Sequence, residues 1–220
     1  MTDIFEFWSR IERGERVHPS DKDVLARMSP DKHGFHLGCL PAAFGGRLRT
    51  APVVLLYLSP GLSATDIEDA NTDEGKDYYY RRWKGDEPMR DLGGGKGTPW
   101  MASRTKSFGS YEVVKDKIAL FNIGAYHSKD VKSYAALTAI PSSRVSLDWA
   151  QSTLFPSAER GERVVICMRS ASYWGLETGK PYGEGLFAPM VTRQGHFVRN
   201  ADNAALIELV RARLDTDRSL

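Results

Sequence analysis

Four short stretches of this 220-residue chain carry side chains that can do chemistry, and each follows an apolar run. Val53–Leu58 runs into Ser59-Pro60-Gly61. Lys117–Ile123, which contains Asn122, runs into Tyr126-His127-Ser128-Lys129-Asp130. Arg163–Met168 runs into Arg169-Ser170, and Leu186–Thr192 into Arg193-Gln194-Gly195-His196. A histidine set among Tyr, Ser and Lys can donate to an anion or move a proton near neutral pH. The alternative is a surface histidine that caps a turn. Arg169 can clamp a phosphate or a carboxylate, while helix capping by Ser170 or Ser172 accounts for the same segment. Pro60 fixes its own φ and Gly61 tolerates φ > 0, so this turn can bring bare backbone close to a ligand.

A second kind of chemistry lies between the first two runs. Segment Ser63–Glu112 is polar, and its first part is acidic, from Asp66 to Asp77. Its second part interleaves cations with aromatics: Tyr78 to Tyr80, Arg81, Arg82, Trp83, Lys84, then Lys96, Trp100, Arg104 and Lys106. Such a mixture can hold phosphates with Arg81, Arg82, Lys84 and Lys96 while Trp83 and Trp100 stack bases. The competing reading is a solvated charge run whose aromatics anchor a large loop. The Gly93–Thr98 run, GGGKGT, is not a phosphate loop, because Gly97 separates Lys96 from Thr98 and no strand precedes it. A hinge or lid is the expectation there.

Other classes are excluded by what the chain lacks. There is no Ser nucleophile elbow, metalloprotease helix or zinc spacing, so no metal or cofactor is called for. The net charge of +2 rules out a generic polyanion binder, leaving only a local patch. Cys39 and Cys167 are far apart, and Cys167 sits in an apolar run as a core residue would. The first ten residues do not read as a signal peptide, and no apolar run approaches the roughly 20 residues of a membrane span. The expectation is a cytoplasmic protein that does not enter a membrane.

The elements that must hold these residues follow from the pattern. The four apolar runs read as buried strands, because a strand covered on both faces needs no alternation. Helices are expected from Asp3, from Ser20, from Ser142 to about Leu154 with a stop at Pro156, and from Asp202 with Ile207, Val210 and Leu214 on one face. Strands alternating with helices argue one α/β domain over residues 1–220, with a central, mostly parallel four-stranded sheet between helical layers. Ligands of such sheets sit at the carboxyl ends of the strands. Segment 63–112 reads as a long loop-like insertion after strand one.

The order of these pieces resembles the uracil-DNA glycosylase superfamily. Tyr57-Leu58-Ser59-Pro60-Gly61 is similar to the turn that ends the family's first strand, and Leu120-Phe121-Asn122 to the end of its second. Val164–Met168 with Arg169-Ser170-Ala171 is similar to the third, and Gln194-Gly195-His196 falls where the family has a His-containing loop. The likeness covers about residue 40 to the C-terminus without the insertion. It implies a DNA-base N-glycosylase-like protein that binds an extruded base. Asn122 would read the base edge, Tyr57 would stack, Pro60 and Gly61 would line the pocket, and His127 or His196 would stabilise the leaving base. Ser59 stands where the family has Asp or Asn for the water, and serine is a poor base. A non-catalytic module binding DNA or a nucleotide on the same fold is therefore the alternative.

Overall fold

The computed structural model describes residues 2–93 and 95–216. Gly94 of the glycine run and the extreme ends of the expected 1–220 domain lie outside the described residues. The chain is α/β and divides into two compact units, each built from three separate stretches. The first comprises Met1–Phe44, Leu58–Glu87 and Asn122–Ser152, the second Gly45–Tyr57, Pro88–Phe121 and Thr153–Leu220. Among the described residues no helix is long and apolar enough to cross a membrane.

The strands are β1 (Phe44–Gly45), β2 (Val53–Tyr57), β3 (Ile118–Asn122), β4 (Val164–Cys167), β5 (Pro181–Tyr182) and β6 (Leu186–Phe187). They form one sheet in the order β1-β3-β2-β4-β6-β5. The expected four-stranded, mostly parallel sheet is thus a six-stranded mixed one. β2 pairs with β4 in parallel, Val53 opposite Val164 and Leu56 opposite Cys167. β4 pairs with β6 in parallel, and β5 with β6 antiparallel. The additional strands have two residues each, too few to leave a periodic signal. The expected fourth strand, Leu186–Thr192, is regular only at Leu186–Phe187. Beyond it the chain makes a hairpin closed by a Val191–Phe197 bridge.

The second unit packs around β2. All five β2 residues are buried, as are the four of β4. Val53, Leu55, Tyr57, Ile166 and Met168 share a core with Met101, Phe108 and the last helix, Ala201–Thr216. That helix turns Leu206, Val210 and Leu214 inward, with Ile207 only partly buried. Its cap is Asn200, whose Oδ1 accepts from the Asn203 amide at 2.8 Å, rather than the expected Asp202, which lies in the first turn.

The first unit is helical. Asp3 caps Ile4–Trp8 by accepting from the Phe5 and Glu6 amides. Phe5 meets Phe44 and Trp149 edge-on at 5.6 and 5.7 Å between ring centroids. The helix from residue 141 does not stop at Pro156. Pro141–Trp149 passes through a π-helical turn, Ala150–Leu154, into Phe155–Glu159. The wider turn starts a new hydrogen-bond register, and Pro156 falls in its first turn, where a missing N–H costs nothing.

Segment 63–112 is not the expected loop. It forms helices at Ala64–Asp69, Asp73–Arg82 and Pro99–Thr105, and another begins at Tyr111. Gly75 is required there, since a Cβ would lie 2.3 Å from the Asp69 carbonyl oxygen. Beside the glycine run, Asp91 Oδ1 accepts from the amides of Gly93 at 2.8 Å and Lys96 at 3.2 Å. Gly97 packs against Tyr111 so closely that a Cβ would fall 2.2 Å from the ring.

Leu55 is fully buried in the core of the second unit, so Leu55→Ala is expected to lower stability by about 3 kcal/mol. Ile67→Ala, at a 40% exposed position, is expected to change it by under about 0.5 kcal/mol. Urea unfolding of both variants checks the contrast.

Candidate functional site

The expected site residues fall into two groups, one in each unit. In the first unit, the chain leaving β3 lies along the segment that follows β2. The Gly124 amide donates to the Leu58 carbonyl at 2.9 Å, and the Ser128 amide to the Pro60 carbonyl at 3.0 Å. His127 sits between these rungs, 2% exposed. Its Nδ1 lies 2.6 Å from the Gly61 carbonyl oxygen and 3.5 Å from Asp66 Oδ2. A carbonyl only accepts, so Nδ1 carries the proton and neutral Nε2 is an acceptor. Nε2 is buried and has no hydrogen-bond partner. Burial pushes the imidazole below its ordinary pKa, outweighing the upward pull of Asp66 and of the Gly61 and Leu40 carbonyls.

Asp66 is held by a capping box. Its Oδ2 accepts from the Ser63 amide and hydroxyl, both at 2.7 Å, at the start of Ala64–Asp69. Gly61 is exposed, a Cβ there would meet nothing within 4 Å, and its φ is not positive. The turn therefore works through the Gly61 carbonyl and not through glycine's freedom. Ser59 and Pro60 are half-buried. Asn122 is 4% exposed and donates one of its two Nδ2 hydrogens to the Ala42 carbonyl at 2.9 Å. Cys39, beside His36, has its thiol pushed up to about 11 by burial, so it is no thiolate nucleophile near neutral pH.

The first unit also holds the cations expected to grip DNA. Arg81 is bidentate to Glu87, at 3.2 Å on each oxygen. Arg82 donates to the Phe44 carbonyl and lies over the Tyr79 ring. Trp83 is 2% exposed and donates Nε1 to the Pro41 carbonyl at 2.8 Å. Lys84 is exposed over Tyr80. For Trp83 the anchoring role describes what is seen. An open groove in this unit, about 780 Å³ and lined by Glu12, Arg13, Lys22 and Lys76 among others, includes none of these residues. Its Arg13 pairs with Asp73 and Asp77, and its Lys22 with Glu15.

The second unit gathers Tyr57, Trp100, Arg104, Arg169 and His196. Thr98 caps Pro99–Thr105 by accepting from the Met101 amide. Met101 and Thr105 are buried, which turns Trp100 and Arg104, also four residues apart, to the other side. Trp100 is 44% exposed, with its ring 5.2 Å from that of Tyr57 and the Arg104 guanidinium 5.5 Å from its own centroid. Tyr57 ends β2, is 7% exposed, and its buried hydroxyl has no partner. Arg169 leaves β4 into solvent, just before Ser170, whose φ of 61° makes it the one non-glycine left-handed residue among those described.

His196 lies on the returning arm of the hairpin after β6. The Thr192 amide donates to the His196 carbonyl at 2.7 Å, and Asn203 Nδ2 ties the hairpin down through the Met190 and Val198 carbonyls. Arg104 Nη1 lies 3.1 Å from His196 Nε2 and 3.4 Å from its Nδ1 and can only donate to the ring. An imidazole that accepts from a guanidinium is neutral, and its pKa is held below the ordinary value by desolvation, then by Arg104 and Lys106. Lys96 is exposed, and its amide donates to Asp91 Oδ1.

Arg104 and Asp66 were not among the expected site residues. Their signals were present: a Thr98-Pro99 helix start with Trp100 and Arg104 at i and i+4, and a Ser63-x-x-Asp66 capping box. No protein family, no curated protein and no solved structure matches the chain.

Three buried histidines, His18, His33 and His127, are held below their ordinary pKa by burial. In the unfolded chain each takes a proton near about pH 6.5, so the unfolded state binds more protons than the folded one as the pH falls. Stability is therefore expected to be full above that value and to decline towards about pH 5, with a smaller slope in His127→Gln. Urea midpoints across that range provide the check.

Proposed function

We propose that the chain binds DNA and receives one unstacked base on the aromatic surface of its second unit. The observation that carries this reading is Trp100: nearly half exposed, with its ring tilted against that of Tyr57, and crowned by a guanidinium with no carboxylate partner among the described residues. An exposed indole beside a free cation fits a base and its phosphate, with stacking worth about 1–3 kcal/mol per base. The resemblance to N-glycosylases leads to the same ligand, a base taken out of the helix. Single-stranded or mismatched DNA is the favoured form, since extrusion costs least there.

The test is titration of a labelled single-stranded oligonucleotide at low salt. Trp100→Ala is expected to weaken binding about tenfold, whereas Arg81→Ala, whose guanidinium is held by Glu87, should leave it unchanged. Equal affinity of Trp100→Ala and the native protein would overturn the reading.

Hydrolysis of the N-glycosidic bond is a second reading, favoured by one observation. The Gly61 carbonyl and Asp66 orient His127 so that Nε2 is a buried acceptor, which is how a base is held by an orienting partner. Ser59 supplies no comparable base. Release of free base from uracil-, hypoxanthine- and xanthine-containing oligonucleotides is expected to be slow and to fall further in His127→Gln. Intact DNA binding without any release would leave the non-catalytic module.

A further inference from the structure

The second unit holds two arginines, Arg104 and Arg169, that no carboxylate among the described residues pairs with. Arg104 and Arg169 both pass beside Gly195: a Cβ built there would lie 3.8 Å from the Arg104 Cζ and 3.7 Å from the Cδ methylene of Arg169. Neither guanidinium has a carboxylate partner among the described residues, unlike Arg13, Arg81 and Arg160. The charged side chains acting on Tyr57 are Arg104 and Arg169, and those acting on His196 are Arg104 and Lys106. Surface arginines are ordinarily offset by nearby acids or spread over the surface, and convergence without an acid is unfavourable unless an anion completes it.

The second, independent observation is the Tyr57 hydroxyl. It is buried, has no partner, and belongs to a side chain more than nine-tenths buried under Trp100. Buried polar groups in native proteins are nearly always hydrogen-bonded, so an orphan O–H calls for an acceptor. His196 adds one ring N–H: Arg104 Nη1 lies 3.1 Å from Nε2 and 3.4 Å from Nδ1, and the nitrogen that does not accept from it carries the ring proton.

We propose that Tyr57, Arg104, Arg169 and His196 seat one phosphomonoester, whose attached nucleoside stacks on Trp100. The donors count towards this ligand. A phosphomonoester presents three terminal oxygens and close to two negative charges, matching two forked guanidiniums, a hydroxyl and an imidazole that converge. A backbone diester presents two free oxygens and one charge, and it suits a track of cations more than a cluster. The shared chemistry, a monoester beside a base, has two sources: the 5′-phosphate of a DNA end, or a free nucleoside monophosphate. The inference rests on the DNA reading for the stacked base but not for the phosphate.

The experiment titrates the native protein with one short single-stranded oligonucleotide carrying either a 5′-phosphate or a 5′-hydroxyl, with a deoxynucleoside monophosphate, and with inorganic phosphate alone. The 5′-phosphate is expected to tighten binding about tenfold, and inorganic phosphate to compete for that gain. In Arg169→Gln the ratio of the two oligonucleotide affinities should fall to about twofold, and Tyr57→Phe, which keeps the ring and the fold, should lower it in the same direction. A monophosphate that binds as tightly as the phosphorylated oligonucleotide identifies the free nucleotide as the source, and weaker binding identifies the DNA end. Equal affinity for phosphorylated and unphosphorylated oligonucleotides, with no competition by phosphate, overturns the seat and leaves DNA binding standing. Phosphate binding that Arg169→Gln abolishes, in a protein that binds no oligonucleotide, keeps the seat and removes the DNA reading.

Discussion

The pairing of β2 with β4 is the constraint on which the second unit's site depends. Leu56 lies opposite Cys167, and the last rung of the ladder is the Met168 amide donating to the Leu56 carbonyl at 3.1 Å. Tyr57 and Met168 therefore close the pair together, both inside the same core. One residue later Arg169 is free of the sheet and exposed. Side chains alternate with a period of two, so a slip of one residue would send Arg169 inward and Met168 out. Burying a guanidinium with no acid beside it costs several kcal/mol, and that cost holds the register. The left-handed Ser170 reinforces the exit by turning the chain at once into the short helix Ala171–Trp174, whose Trp174 is fully buried. Sheet energetics thus decide where the cation points.

Composition alone does not separate a binding surface from a core. Arg82-Trp83 and Trp100 with Arg104 are chemically the same pair, and both lie in the segment whose charge pattern suggests polyanion binding. The difference is helical phase and available partners. Trp83 ends Asp73–Arg82 on its buried side, where its N–H meets the Pro41 carbonyl. Trp100 follows a capped proline, and its helix buries Met101 and Thr105 instead. A glutamate stands six residues from Arg81, but among the described residues no carboxylate pairs with Arg104. Partners, more than residue type, set which cations remain available to a ligand.

The same logic explains what could be read from the sequence. The cores of β2, β3 and β4 were legible because continuous Val, Leu and Ile runs have one stable solution, a strand buried on both faces. The helices of 63–112 were not, because Asp73–Arg82 is mostly charged and its three tyrosines stand side by side, leaving no apolar run to read. It is set instead by Thr72 at its start, by close packing at Gly75 and by the basic residues of its last turn. The break expected at Pro156 failed because a π turn can reset the hydrogen-bond register, a choice that tertiary packing makes. At the site, strand ends named Tyr57, Arg169, His127 and His196. Partners distant in sequence, such as Asp66 for His127 or Arg104 for His196, required the fold.

Interior imidazoles and phenols of this chain differ in whether their polar atoms find partners. His18 is buried and structural, and both its nitrogens are used: Nδ1 accepts from the Ser20 amide at 3.2 Å and Nε2 lies 3.0 Å from the Phe7 carbonyl. Tyr126 is equally buried, and its hydroxyl donates to Asp21 and accepts from the His18 amide. The fold can therefore satisfy an interior imidazole and an interior phenol completely. At His127 Nε2 and at the Tyr57 hydroxyl it does not, nor at Trp8 Nε1 or the hydroxyls of Ser142, Ser143 and Ser146, and an unmet buried group costs about 1–3 kcal/mol. A phenylalanine at 57 would fill the same space without that cost. What a hydroxyl adds there is a buried polar atom within the electrostatic reach of Arg104 and Arg169.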